Sequence, residues 1–288
     1  MTGVPLPGSA EPVVAASAPG RGVGFWAGSS SATLDDDGSF VIAYRVRMGE
    51  RGRGSNVVAR SEDGERFTTI GTIEQERFGG QSMEKPALVR TDEGWRLYVC
   101  PAAPAPSKHW WIAVFEADAP EGLARAEART VFPGDEQTGV KDPYVRRAAD
   151  GTWEAWVCCH PLDVPDEEDR MTTAYATSSD GLEWEWHGTA LAPRAGTWDA
   201  RGARVTTVLP DGSAAYDGRA SKEENWFERI GLARLTGGRP GQLEQTNDEA
   251  AFDARYLDVV PLPGGGHRIY YEARLPDESH ELRTELVV

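Results

Sequence analysis

The chain has 288 residues, 40% of them hydrophobic, and a formal net charge of −16. That hydrophobic share is ordinary for a folded globular chain, and so acidic a surface repels phosphate backbones and anionic lipid heads, which excludes nucleic acid and membrane as expected partners. Cys100, Cys158 and Cys159 are too few and too close for a disulfide framework, and residues 1–18 lack the basic start and apolar run of a signal peptide, so the expected location is cytoplasmic.

Short alternating or apolar runs, separated by Gly, Asp and Pro, take the place of helical periodicity throughout, which is the pattern of an all-β fold. The first unit reads Ala32-Thr33-Leu34, the turn Asp37-Gly38, then a strand over 40–44, with further strands expected at 56–61 and 67–73. The second reads Ala87-Leu88-Val89, Gly94, then 95–99. The third reads Tyr144-Val145, Asp150-Gly151, then 153–157, with further strands expected at 172–179 and 182–186. The fourth reads 205–209, Asp211-Gly212, then 214–216, and the fifth Val259-Val260, Gly265, then 268–271. The hairpin glycines Gly38, Gly94, Gly151, Gly212 and Gly265 stand 56, 57, 61 and 53 residues apart. Five units of that size fill the chain and predict a single domain over 1–288, a five-bladed β-propeller with about four antiparallel strands per blade. A β-sandwich does not explain five similar units. The turns Ser61-Glu62-Asp63-Gly64 and Ser178-Ser179-Asp180-Gly181 lack the residue between Asp and Gly that a sialidase Asp-box carries, and are expected to be hairpin turns only.

In a propeller the first strand of each blade lines the central channel. About ten residues before each hairpin glycine lie Gly28 and Ser29, Glu84, Asp142, Arg201 with Gly202, and Arg255 with Tyr256. Glu84 and Asp142 thus take comparable places in adjacent blades, with Asp199 just before the fourth place and Asp258 just after the fifth. Glycosidic-bond chemistry uses such groups: one carboxylic acid protonates the leaving oxygen while a carboxylate activates water or attacks, and crowding or burial keeps the acid protonated near neutral pH. Each of these acids is otherwise a turn former or an arginine partner. Glu84, Asp142 and Asp199 are the candidate catalytic residues. Arg45, Arg201, Arg204 and Tyr256 are candidates for substrate hydroxyls, and Trp26 for a stacking platform beside Trp198 and Tyr256. The loops 101–109, 160–170 and 219–228 carry His109, Trp110 and Trp226, which are expected to wall a pocket. No histidine has metal-ligand spacing, and in Cys158-Cys159-His160 neighbouring side chains alternate faces, which argues against a thiol nucleophile.

Several motifs resemble those of five-bladed propeller glycosidases: the family 43 arabinanase and xylosidase group, its fructosidase relatives and the family 130 mannoside phosphorylases. Val140-Lys141-Asp142-Pro143-Tyr144-Val145 resembles their Asp-Pro strand, and Ser82-Met83-Glu84-Lys85-Pro86 their Glu-x-Pro or Asp-Pro strand. Tyr44-Arg45 with 59–64, and Tyr216-Asp217-Gly218 with 230–233, resemble blades of the phosphorylases, although Asp217 replaces their His. The resemblance implies a glycoside hydrolase-like enzyme acting on a small glycoside or oligosaccharide. The alternatives are a non-catalytic carbohydrate-binding propeller and a glycoside phosphorylase using Arg45, Arg47 and Arg204 for phosphate. Family 43 enzymes place an acid in the first blade, where this chain has Gly28 or Ser29. No cofactor is expected; related propellers hold a structural Ca²⁺ in the channel, an expectation that no motif here supports. The oligomeric state is left open.

Overall fold

The computed structural model describes residues 3–49, 53–104, 107 and 109–288; positions 105, 106 and 108 of the loop expected at 101–109 lie outside them. Three four-stranded antiparallel sheets, and one eight-stranded sheet whose two four-stranded halves meet in a parallel pairing of Trp26 with His280, make five blades around a central channel. The first blade comprises Phe25–Leu34, Phe40–Met48, Gly54–Ser61 and Thr68–Glu74. The second comprises Ala87–Thr91, Gly94–Val99, Ile112–Ala117 and Arg129–Phe132, with the short strand Ser82–Met83 leading in. Thr138–Arg147, Trp153–Pro161, Thr172–Ser178 and Glu185–Leu191 form the third. Gly202–Val208, Ser213–Arg219, Arg229–Leu235 and Leu243–Gln245 form the fourth. The fifth takes Arg255–Pro261, His267–Arg274 and His280–Val287, and its outermost strand is Val13–Ala16 from the other end of the chain.

The apolar residues explain the ring. Successive strand residues face opposite sides of a sheet, so each blade feeds two cores. In the first blade Val41 and Ala43 pack with Leu88, Leu97 and Phe115 of the second, whereas Phe40 and Ile42 pack with Tyr270 and Leu282 of the fifth. Tyr98 and Phe132 meet Trp153 and Val157; Trp156 and Tyr175 meet Val205 and Tyr216; Ile230 meets Ile269 and Tyr271. Five cores, each between two blades, distinguish this architecture from a sandwich with a single core.

The two Ser-x-Asp-Gly segments are built alike. The Ser61 hydroxyl accepts from Gly64 N at 2.9 Å and Asp63 Oδ1 from Glu65 N and Arg66 N; Ser178 and Asp180 repeat the pattern with Gly181, Leu182 and Glu183. Each turn carbonyl also accepts a tyrosine hydroxyl from the preceding blade, Tyr270 on Gly64 and Tyr98 on Gly181, both at 2.9 Å. One expected strand is corrected: the run at 182–186 begins as a turn, with Leu182 and Trp184 packed against a core, and the strand is Glu185–Leu191. Among the described residues no helix is long and apolar enough to cross a membrane.

Candidate functional site

A cavity of about 580 Å³ opens on the channel axis, and all five blades line it. Its wall repeats one register: Gly28 pairs with Arg45, Lys141 with Cys158, Gly202 with Arg219 and Arg255 with Glu272. In the second blade Glu84 takes the place of Lys141, its amide donating to Cys100 O at 2.9 Å. First and second strands therefore both supply the wall. Gly28 is required where it stands, because a Cβ there would lie 2.3 Å from Glu272 Oε2.

One residue further along, Ser29, Asp142 and Tyr256 adopt positive φ (54°, 49° and 55°) within register shifts of their strands. This left-handed conformation is unusual for non-glycine residues. It breaks the side-chain alternation of the strand. Lys85 is the second-blade counterpart of Asp142, so Glu84 matches Lys141, not Asp142. The expected equivalence of the two acids is thus off by one residue.

The wall is a chain of ion pairs. Arg45 Nη1 donates to Glu84 Oε2 at 2.9 Å, and Lys141 Nζ lies 3.7 Å from the same oxygen. Arg255 bridges Glu228 and Glu272, each at 2.7 Å, and Arg219 donates to Glu228 at 2.7 Å. Arg204 joins Asp217 (2.7 Å) to Asp142 (3.1 Å). Burial opposes ionisation of Glu84, but Lys141, Arg45 and Arg47 outweigh it and hold the carboxyl down at about 2. Burial likewise opposes ionisation of Glu228 and Glu272, and arginines led by Arg255 hold both well below the usual carboxylate range. The raised groups are others: burial lifts Asp217 to about 6 despite Arg204, and Asp258 to about 7 despite Lys85.

Of the candidate catalytic acids, Glu84 lines the cavity and Asp142 and Asp199 do not. Asp142 is fully buried; it accepts from Lys85 N at 3.0 Å, Arg204 at 3.1 Å and the Tyr256 hydroxyl at 3.4 Å, so it backs two lining residues. Asp199 is also fully buried, held by Arg194 (3.1 Å), Thr197 and the Tyr216 hydroxyl (2.7 Å). Asp217 and Asp258 play a similar tying role, accepting from the amides of Tyr256 and Ala32 in the next blade. Arg45, Arg204 and Tyr256 line the cavity; Arg201 does not, and instead grips Asp169 and Glu167. Trp26 lines it but is 2% exposed, with His280 stacked on its ring at 4.9 Å and three arginines around it, so its face is covered. Trp198 stacks on Tyr216 away from the cavity.

The half-buried indoles of Trp110 and Trp226 take the platform place instead; His109 lies at a separate surface depression. Cys158 and His160, two apart on one face, do meet, with Sγ and Nε2 3.4 Å apart. Burial pushes that thiol up and the imidazole down, which disfavours the thiolate–imidazolium pair. Lys141, Arg219, Arg255, Glu228 and Glu272 were not among the candidates. Their signal was the strand register: Arg45, Arg219 and Glu272 each fall seventeen residues after a first-strand position. No group of three or more His, Cys, Asp or Glu among the described residues is placed to hold a metal ion.

No protein-family model and no curated protein matches the sequence. Solved structures do match. A β-1,2-mannobiose phosphorylase from Listeria innocua, in complex with β-1,2-mannobiose, is 13% identical, with 92% of this chain and 90% of that one covered and a TM-score of 0.63. A thermostable family-43 glycoside hydrolase is 12% identical, with 95% and 92% covered and a TM-score of 0.69. Sucrose-6-phosphate hydrolase from Lactobacillus gasseri is 10% identical, with 92% and 60% covered and a TM-score of 0.65. At these identities the likeness is one of fold: the chain shares the five-bladed propeller of glycosidase-like proteins.

Proposed function

We propose that the chain is a glycosidase-like enzyme that cleaves a glycosidic bond of a small glycoside or oligosaccharide, with Glu84 as the carboxylate that meets the sugar. The observation that carries this is the state of Glu84. Among the described residues, two buried carboxylates line the cavity. Glu228 has both oxygens taken by arginines. Glu84 Oε1 accepts from the Ser82 hydroxyl, and cations around Oε2 keep the group ionised. An ionised carboxylate at the floor of a funnel suits a base or nucleophile. Trp110 and Trp226 offer apolar faces for a sugar ring, and the structural neighbours include enzymes named for mannobiose and sucrose 6-phosphate.

A second role, carbohydrate binding without cleavage, is favoured by the lining acids. Glu84, Asp169, Glu223 and Glu228 are all held below their ordinary values. None of the four stores the proton that a leaving oxygen needs.

Aryl glycosides and β-linked disaccharides, assayed for released sugar with and without inorganic phosphate, separate these roles. In an enzyme, Glu84→Gln lowers kcat by roughly 10²- to 10⁴-fold with an unchanged circular dichroism spectrum. Full turnover in that variant overturns the role of Glu84. Sugar binding by calorimetry with no product from the wild type establishes binding alone, and turnover that requires phosphate establishes phosphorolysis.

A further inference from the structure

Among the described aromatic side chains that line the cavity, Trp26, Tyr256 and His160 are buried, whereas Trp110 and Trp226 are half-buried. The buried cations and carboxylates of the floor pair with one another. The ring-sized apolar surface left for a ligand is therefore on the two indoles. They stand on different blades. Trp110 leads into the strand Ile112–Ala117 of the second blade, and its carbonyl accepts from Val140 N of the third at 3.1 Å. Trp226 lies on the loop 220–228 of the fourth blade, with its ring centroid 5.4 Å from that of Trp26 in the first.

Glu84 stands between the two indoles along the wall. In one direction its Oε2 lies 3.7 Å from Lys141 Nζ, and that ammonium is 4.8 Å from the Trp110 ring centroid. In the other direction the same oxygen accepts from Arg45 at 2.9 Å. The Arg45 guanidinium is 5.6 Å from the Trp26 ring, against which Trp226 packs edge to face. Lys141 comes from the third blade and Arg45 from the first, and these flank the second blade, which carries Glu84. The two tryptophans are thus reached from Glu84 in opposite directions.

The backbone is strained to put Trp226 there. Its φ is 78°, an outlier for so bulky a side chain. The flanking chain holds it: Asn225 N donates to Lys222 O, Phe227 N donates to Glu224 O, and the next residue, Glu228, is gripped by Arg219 and Arg255 at 2.7 Å each. Such strain persists only where the surroundings over-determine it, and it gathers at ligand clamps. The volume of about 580 Å³ falls in the range of sites that enclose a whole small molecule.

We propose that the cavity is a two-ring site: one sugar ring packs on Trp110 and the next on Trp226, with the glycosidic linkage between them at Glu84. This rests on the carbohydrate role proposed above and specifies its substrate class, a disaccharide unit rather than one sugar on a small alcohol. A single ring covers one indole and leaves the other in water, so the stacking contribution of an aromatic face is gained twice only by a two-ring ligand. Trp110 and Trp226 are then the residues that select for chain length.

Isothermal titration calorimetry on the full chain tests it. The probes are β-1,2-mannobiose, cellobiose, xylobiose and sucrose, beside mannose, glucose, xylose and fructose. Where a disaccharide is cleaved during the titration, the series is repeated with Glu84→Gln, which keeps it intact. The expected result is at least one disaccharide binding about tenfold or more tightly than its own monosaccharides, a gap of about 1.4 kcal/mol. Trp110→Ala and Trp226→Ala are each expected to remove that preference, while the monosaccharide weakens in at most one of the two variants, because a single ring uses one platform. Trp110→Phe and Trp226→Phe, which keep an aromatic face, are expected to retain most of it, and this separates lost stacking from a disturbed loop. Monosaccharides binding as tightly as the disaccharides, or a monosaccharide weakened in both alanine variants, as one ring held between both indoles would be, overturns the two-ring site and leaves the carbohydrate role standing. No binding by any sugar of either length overturns both. A disaccharide bound but left intact by the wild type supports the two-ring site and removes the enzymatic role.

Discussion

A φ of +49° at Asp142 constrains that residue as strongly as its charge does. Asp and Asn tolerate the left-handed region better than most residues because their short polar side chains bond locally. The carboxylate also ties its own blade to three others, through Lys85 N, Arg204 and the Tyr256 hydroxyl. Asp142→Asn keeps the backbone preference and an acceptor but loses the charge opposite Arg204. Asp142→Ala loses both, leaving Arg204 to Asp217 alone and the buried Lys85 N without its acceptor, a cost of about 1–3 kcal/mol. Urea denaturation is therefore expected to rank wild type above Asn above Ala; an Ala variant as stable as wild type would remove the tie. The Asp-Pro pair was legible in the sequence as a funnel feature. Its burial was not, because the register shift that redirects the side chain depends on the partner strand.

The strand Val13–Ala16 closes the ring by pairing with His280–Val287, Val13 opposite Thr284 and Val14 opposite Arg283. Without it the fifth blade keeps three strands and exposes an edge, which invites association with other chains. Removal of residues 1–17 is expected to lower the melting temperature by several degrees, at about 2–4 °C per kcal/mol for a domain of this size, and to promote aggregation in light scattering. An unchanged melt and no aggregation would show that closure contributes little. This element could not be read from the chain, since its partner lies more than 260 residues away and four apolar residues carry no period of their own. The glycine hairpins were readable because a tight turn needs its glycine locally: Gly38, Gly151, Gly212 and Gly265 all have φ between 82° and 90°.

The buried charges give the whole molecule a two-sided pH dependence. Glu84, Glu228 and Glu272 have folded values below the unfolded 4.5, so their stabilisation is complete above that pH and is lost as pH falls towards 2. Asp217 and Asp258 have folded values raised from 3.8 to about 6 and about 7, so their contribution is complete below 3.8 and is lost as pH rises through 6 and 7. The melting temperature is expected to peak in mildly acidic buffer and to decline towards pH 8. Asp258→Asn, which keeps an acceptor for Ala32 N, is expected to flatten that decline in calorimetry; an equal slope in both proteins would clear Asp258 of responsibility. The sequence by itself determined the five blades, because alternation, glycine turns and a period of 53 to 61 residues are local signals repeated along the chain. It also brought Glu84, Arg45, Arg204 and Tyr256 to notice. Only the tertiary structure decided which acids face the cavity and which tie blades together, and only there do Arg219, Glu228 and Glu272 join the wall. The reason is physical: side-chain direction at a register shift, and the ionisation of a buried carboxylate, are set by neighbours from other blades.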